Sequence, residues 1–407
     1  MKYLNCNSYI ECIKKSHILE VISYDPIRPS CNNRCKFCIT ADCTIPPQPV
    51  EELHLANTLQ YKWIKDTIIP QLKENNLLDI KCNFQMIGGE LFYLSEEYYN
   101  EYYNWLETGW NLLSSILEKK PIVNLFTNLL FLKDTAQRFV DFYEKVGNLI
   151  GEHPNICTSF DLWGRFNTDF SLNNWLNSTK LLESHLKEGE KIGVETLLIT
   201  PSIKEYLEKP ESKLSQLFDN LLDNPKYAVT LQEYVPNSEK QIEELVPSKE
   251  LILEFFKKVK EKHPNSTVIN VFKVQDLKVP KPEYFYNNCH ALTFNVPGWT
   301  QAPYHHKCME DGSVPIDSCI YTQYHNMPNF NIDRDFDEDM PKSGIICIDQ
   351  PKLVDNYFNK LFKCDFCKYS NVCNRYCMGI MALKYTKKEC WKKWHIWLPK
   401  KQVNPKC

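Results

Sequence analysis

Three cysteines within eight residues, Cys31-Asn-Asn-Arg-Cys35-Lys-Phe-Cys38, constrain this chain more than any other feature. They follow an apolar stretch that reads as a strand, so the C-x3-C-x2-C spacing falls on a loop. Three thiolates this close can cap three corners of a cubic four-iron cluster and leave the fourth iron open to an exogenous ligand. A zinc site is the competing reading. Zinc, however, normally takes two cysteines at each end of a long loop, and no nearby histidine offers a fourth ligand. Cys43 follows at a spacing that helps neither reading.

The chain has 18 cysteines in 407 residues. None lies between Cys157 and Cys289, whereas ten lie from Cys289 to Cys407, which marks a boundary. No run of about 18 to 20 apolar residues is present for a membrane span, and the opening MKYLNCNSYIECIKK lacks a secretory apolar core. The expectation is a soluble, cytoplasmic protein with no membrane partner. In that reducing compartment thiolate metal ligation is favoured over a disulfide framework. With 43% hydrophobic and 24% charged residues the chain reads as globular. A net charge of -3 argues against a nucleic-acid partner.

The first part of the chain alternates β-branched or apolar runs with longer amphipathic stretches, the pattern of consecutive βα units. Strands are expected near 18–24, 82–87, 121–126, 156–161, 191–199 and 227–233, with helices near 51–75, 95–119, 132–146, 171–188 and 209–222. The fold class is therefore α/β, a partial (β/α)6 relative of the eight-stranded barrel, with polar chemistry at the C-terminal strand ends. The division is 1–244 for this core and 245–407 for a cysteine-rich domain, which begins with a helix near 248–262 and a strand near 267–273. Long loops of this kind need an organiser, and metal clusters can serve.

Two further patterns accompany the first cysteines. Gly88-Gly89-Glu90 closes the second strand, where glycines let backbone approach a ligand and a carboxylate can meet an ammonium. Near the other end stands Cys364-x2-Cys367-x5-Cys373-x3-Cys377, followed by Cys390. A zinc ribbon is the competing reading, because zinc also favours C-x2-C pairs.

Together these motifs resemble the radical S-adenosylmethionine (SAM) superfamily, with a C-terminal array like that of the SPASM extension on peptide-modifying members. The resemblance implies that Cys31, Cys35 and Cys38 hold a [4Fe–4S] cluster whose open iron is chelated by SAM. An electron from it would then generate a 5′-deoxyadenosyl radical. Phe37 would lie beside the adenine, Gly88, Gly89 and Glu90 would meet the SAM amino group, and Ser159 would join the SAM pocket. Thr127, Asn128, Asp161, Glu195, Gln232 and Glu233 are polar strand-end residues in similar positions. Cys364, Cys367, Cys373 and Cys390 would hold a distal auxiliary cluster, making three [4Fe–4S] clusters in all. Cys377 would join a proximal cluster with Cys319, Cys308 and Cys289, and Cys347 stands in reserve. The family writes four residues between the upstream glycine and its second cysteine; here six separate Gly312 from Cys319, which leaves a proximal cluster with an open iron as an alternative.

The implied activity is oxidative modification of a residue in a ribosomally made peptide or in a protein, with flavodoxin or ferredoxin as electron donor. Only 30 residues precede Cys31, so leader recognition is expected from a separate protein or from the barrel itself. Formylglycine formation is a weaker alternative, because Ile320 follows Cys319 where sulfatase-maturing relatives have aspartate, although Asp317 is close by. A small-molecule dehydrogenase of the same superfamily and a zinc-stabilised binding protein are the others. The catalytic acid or base is not identified, and His305-His306 reads best as an exposed loop pair.

Overall fold

The computed structural model describes residues 13–14, 17–22, 31–38, 49–86, 89–234 and 243–266. Its elements run β1 Ile18–Ile22, α1 Val50–Trp63, α2 Ile69–Glu74, β2 Lys81–Met86, α3 Glu96–Ser114, β3 Ile122–Phe126, α4 Lys133–Ile150 and β4 Asn155–Ser159. There follow α5 Asp169–Glu183, β5 Ile192–Leu198, α6 Thr200–Glu208, α7 Lys213–Asp223, β6 Tyr227–Glu233 and α8 Lys249–Lys262. The six strands expected for the core are all present. They form one parallel sheet in the order β1-β2-β3-β4-β5-β6. Helical crossovers join successive strands, as parallel neighbours require. The expected strand near 267–273 and the cysteine-rich segment lie outside the described residues.

Strand alternation divides the sheet into two unlike faces. Cys82, Phe84, Met86, Val123, Leu125, Ile156, Val194 and Leu198 are buried, and Phe84 meets Trp105 of α3 edge-on at 5.6 Å. This face therefore packs beneath the helices. The opposite face carries Asn83, Gln85, Asn124, Phe126, Cys157, Ser159, Gly193 and Glu195, all half-buried. Polar side chains there line up in register: Gln85 beside Asn124, and Ser159 beside Glu195, which neighbours Thr230.

Helix α4 shows why the helices form where they do. Its buried residues, Ala136, Phe139, Val140, Tyr143, Val146, Gly147 and Ile150, recur at the three- and four-residue steps of one helical face. It stops at Gly151, whose φ of 82° suits glycine. Thr168 and Ser171 form a reciprocal capping box at the start of α5.

Two helical expectations are corrected. The stretch 51–75 is not one helix, because a π turn at Ile64–Ile68 separates α1 from α2. Pro70, at the start of α2, cannot donate to the preceding turn, and the widened turn accommodates that loss. The stretch 209–222 was expected as a single helix after the fifth strand, but α6 precedes α7, with Pro201 in its first turn.

Helix α8 covers α6 and α7. Phe255 packs edge-on against Tyr206 at 5.3 Å and lies 6.3 Å from Phe218. Beyond its last turn, His263 places Nε2 2.7 Å from Asp219 Oδ1 and Nδ1 2.7 Å from Asp223 Oδ1. Lys262 also pairs with Asp219, and the Tyr206 hydroxyl donates to it at 2.8 Å. The helix assigned from sequence to the second domain thus packs on the βα body.

Candidate functional site

Parallel strands bring the loops that follow them to one rim. The cysteine loop, 31–38, follows β1 and is held there by two neighbouring loops. From the segment after β3, Leu130 O accepts the Asn32 side-chain amide at 2.9 Å. From the segment after β4, Gly164 O accepts Lys36 N–H at 2.9 Å, and Arg165 O accepts the Asn33 amide at 3.0 Å. Gly164 has φ 78°, and a Cβ there would sit 3.1 Å from Lys36 Cβ. This close approach and left-handed backbone both require glycine.

The three sulfurs lie in a mixed environment. Cys31 Sγ accepts from Asn33 N–H and from Asn128 Nδ2, each at 3.4 Å, and Cys35 Sγ accepts from Asn33 Nδ2 at 3.1 Å. Cys35 turns directly into Cys38 through a backbone bond of 2.9 Å. Burial pushes the Cys31 thiol up to about 11, with the Glu90 and Cys35 charges adding to the shift and the Asn33 and Asn128 donors opposing it. Burial raises Cys35 as well, against the lowering influence of Arg165. The bare Cys31 and Cys35 thiols stay protonated near neutrality, and bound positive charge would reverse that preference. None of the three is in a disulfide.

Glu90 follows β2, at the start of the short turn Leu91–Tyr93, and points inward. It is buried, and Oε2 accepts from the Thr127 hydroxyl at 2.9 Å and from Asn128 N–H at 2.7 Å, while Oε1 accepts from Phe92 N–H at 3.4 Å. Burial lifts its carboxyl to about 7 despite these donors. Gly89 beside it has φ 44°. The Glu90 carboxylate thus fixes the segment after β3, where Leu129 has φ 53° and Asn128 Oδ1 accepts Leu130 N–H at 2.8 Å.

Phe37 is buried. Arg165 lies over its ring at 5.7 Å, and its carbonyl accepts the Tyr234 hydroxyl at 3.0 Å. Arg165 Nε pairs with Asp161 Oδ2 at 2.7 Å, and Asp161 Oδ1 accepts Leu197 N–H at 2.9 Å. Burial raises the Asp161 carboxyl, and Arg165 opposes that shift. Ser159 sits half-buried on the polar face, paired in register with Glu195. Glu195 also meets the Cys157 thiol one strand away, and burial followed by the Glu195 charge raises that thiol well above its ordinary value.

The structure therefore gathers Cys31, Cys35, Cys38, Phe37, Gly89, Glu90, Thr127, Asn128 and Asp161 at one rim. Gly88, Cys289, Cys308, Cys319, Cys347, Cys364, Cys367, Cys373, Cys377 and Cys390 lie outside the described residues. Sequence reasoning missed Arg165 and Asn33, which act across loops; the i,i+4 spacing from Asp161 to Arg165 was the only hint.

Among the described residues no three His, Cys, Asp or Glu side chains converge as ligands of one metal ion. A four-iron cluster asks something different, since each thiolate binds its own iron and the sulfurs stand apart. Three cysteines outside any disulfide on one short loop, two of them receiving N–H donors, suit that chemistry. A scan against protein-family models and a search of curated proteins each find no match to this chain.

Proposed function

We propose that this chain is a radical SAM enzyme that oxidatively modifies a residue in a peptide or protein. The observation that carries this reading is the Cys31-x3-Cys35-x2-Cys38 loop, anchored at the C-terminal rim of a six-stranded parallel sheet with amide donors on its sulfurs. In this reading the strands form a partial barrel, and Cys31, Cys35 and Cys38 hold a [4Fe–4S] cluster. When bound, that cluster supplies the electron that cleaves SAM reductively.

The chain's own residues then divide the work. Asn33 and Asn128 orient two ligand sulfurs. Glu90 fixes the segment that carries Asn128, and Gly88 and Gly89 would meet the methionine end of SAM. The Asp161–Arg165 pair holds the Gly164 turn against Lys36 and Phe37. Ser159 and Glu195 offer a hydroxyl and a carboxylate on the polar sheet face, suited to hydroxyl or ammonium groups of a ligand. The C-terminal cysteines, Cys364, Cys367, Cys373 and Cys390 with Cys377, Cys319, Cys308 and Cys289, would supply two auxiliary clusters. Electrons would come from a flavodoxin or ferredoxin, and a separate recognition protein could present the peptide in the cytoplasm.

The test is anaerobic reconstitution followed by iron and sulfide analysis and a SAM cleavage assay. About 12 iron and 12 sulfide per chain, with 5′-deoxyadenosine formed under reduction and lost in Cys31→Ala, is the expected result. Zinc without iron, and intact SAM, would overturn the reading in favour of a zinc-stabilised binding protein.

A further inference from the structure

Asn128 has its amide valences committed in a specific way. Oδ1 accepts Leu130 N–H at 2.8 Å, which fixes the plane of the amide. Nδ2 donates to Asn32 Oδ1 at 2.7 Å and to Cys31 Sγ at 3.4 Å. The backbone beneath is held by the buried Glu90 carboxylate, through Asn128 N–H and the Thr127 hydroxyl. The result is a rigid path from the end of β2, through the end of β3, to a sulfur on the loop after β1. On the other side of the loop, Asn33 Nδ2 bridges Cys35 Sγ at 3.1 Å and Arg165 O at 3.0 Å. Both donors come from side chains, so each can be removed without disturbing the backbone donor that Asn33 N–H gives to Cys31.

An N–H aimed at a ligand sulfur favours the state with more negative charge on that sulfur. In a thiolate-ligated cluster that state is the reduced one, so such donors raise the reduction potential. We propose that Asn128, seconded by Asn33, is a positioning residue that orients Cys31 and raises the reduction potential of the cluster on loop 31–38. This inference rests on the cluster assignment made above.

The experiment is an EPR-monitored redox titration of the full-length, reconstituted protein, following the iron–sulfur signal that disappears in Cys31→Ala. Asn128→Asp keeps the acceptor for Leu130 N–H and the side-chain shape, but replaces the donor at sulfur by an acceptor. The expected result is a negative shift of the midpoint by about tenfold in the reduction equilibrium, ~59 mV for one electron, with Asn33→Ser moving it in the same direction. A residue that served folding alone would lower thermal stability and leave the midpoint where it is. Unchanged midpoints in both variants, with the Cys31-dependent signal intact, would overturn the inference and leave the cluster assignment standing. Absence of any Cys31-dependent signal in the unsubstituted protein would overturn the cluster assignment and the inference with it. If Asn128→Asp takes up no cluster, the Asn33→Ser midpoint decides by the same criterion.

Discussion

Arg165 Nε lies 2.7 Å from Asp161 Oδ2, four residues back along the chain, and both side chains are buried. Removing one partner of a buried pair strands the other charge in a poorly solvating site. Arg165→Met should therefore lower unfolding stability by about 3–5 kcal/mol. Asp161→Asn together with Arg165→Met should recover part of that loss. Urea denaturation of the two single variants and the double variant measures the coupling, and simple additivity would mean the pair contributes nothing as a pair.

Glu90 gives the fold a defined pH dependence. Its folded value of about 7 stands above the ordinary 4.5, so the native state binds this proton more tightly than the unfolded chain. The stabilising effect of that proton is fully present below about pH 4.5 and is lost as pH rises towards 7, amounting to about 3 kcal/mol. Glu90→Gln cannot titrate, so the stability difference between variant and parent should change with pH across this window and level off above it. Parallel denaturation curves of the metal-free proteins at several pH values test this, and a constant difference would refute it.

Gly164 is confined both by its φ of 78° and by Lys36 Cβ, which would stand 3.1 Å from an added methyl. Gly164→Ala should cost about 1–2 kcal/mol from backbone strain alone. Because the same turn carries the carbonyl that accepts Lys36 N–H, iron uptake by the cysteine loop should fall as well. Thermal unfolding and iron content would be read together; normal values of both would show that the turn yields without consequence.

His263 bonds two aspartates of α7 from the end of α8. Its replacement by alanine should cost about 1.5–3 kcal/mol, the range of a hydrogen bond to a charged group. The loss should be local. Amide exchange in α8 is expected to accelerate while that of β3 and β4 stays slow, and uniform acceleration would instead mean that α8 unfolds only with the sheet.

The sheet was legible in the sequence because six short β-branched or apolar runs alternate with longer amphipathic stretches. The helix starting at Thr200 escaped notice because it follows β5 almost without a loop. The break before Pro70 was lost inside a continuous amphipathic pattern. At the site, the cysteine triplet and Gly-Gly-Glu are local in sequence and could be read directly. Asn33 reaches Arg165 across 132 positions and Asn128 reaches Cys31 across 97, and no short-range pattern encodes such contacts. Glu90 shows the same limit from the other side: the motif revealed a carboxylate, while its inward bonds to Thr127 and Asn128 depend on how two loops meet.

Sheet order that follows chain order also sorts the molecule into a working end and a handling end. Every helix-to-strand turn lies at the end away from the cysteine loop. At Gly189, in the turn before β5, a side chain would meet nothing within 4 Å among the described residues. A reporter dye, affinity tag or surface tether placed at that turn would leave the cysteine rim unobstructed, so this protein can be immobilised or labelled from behind.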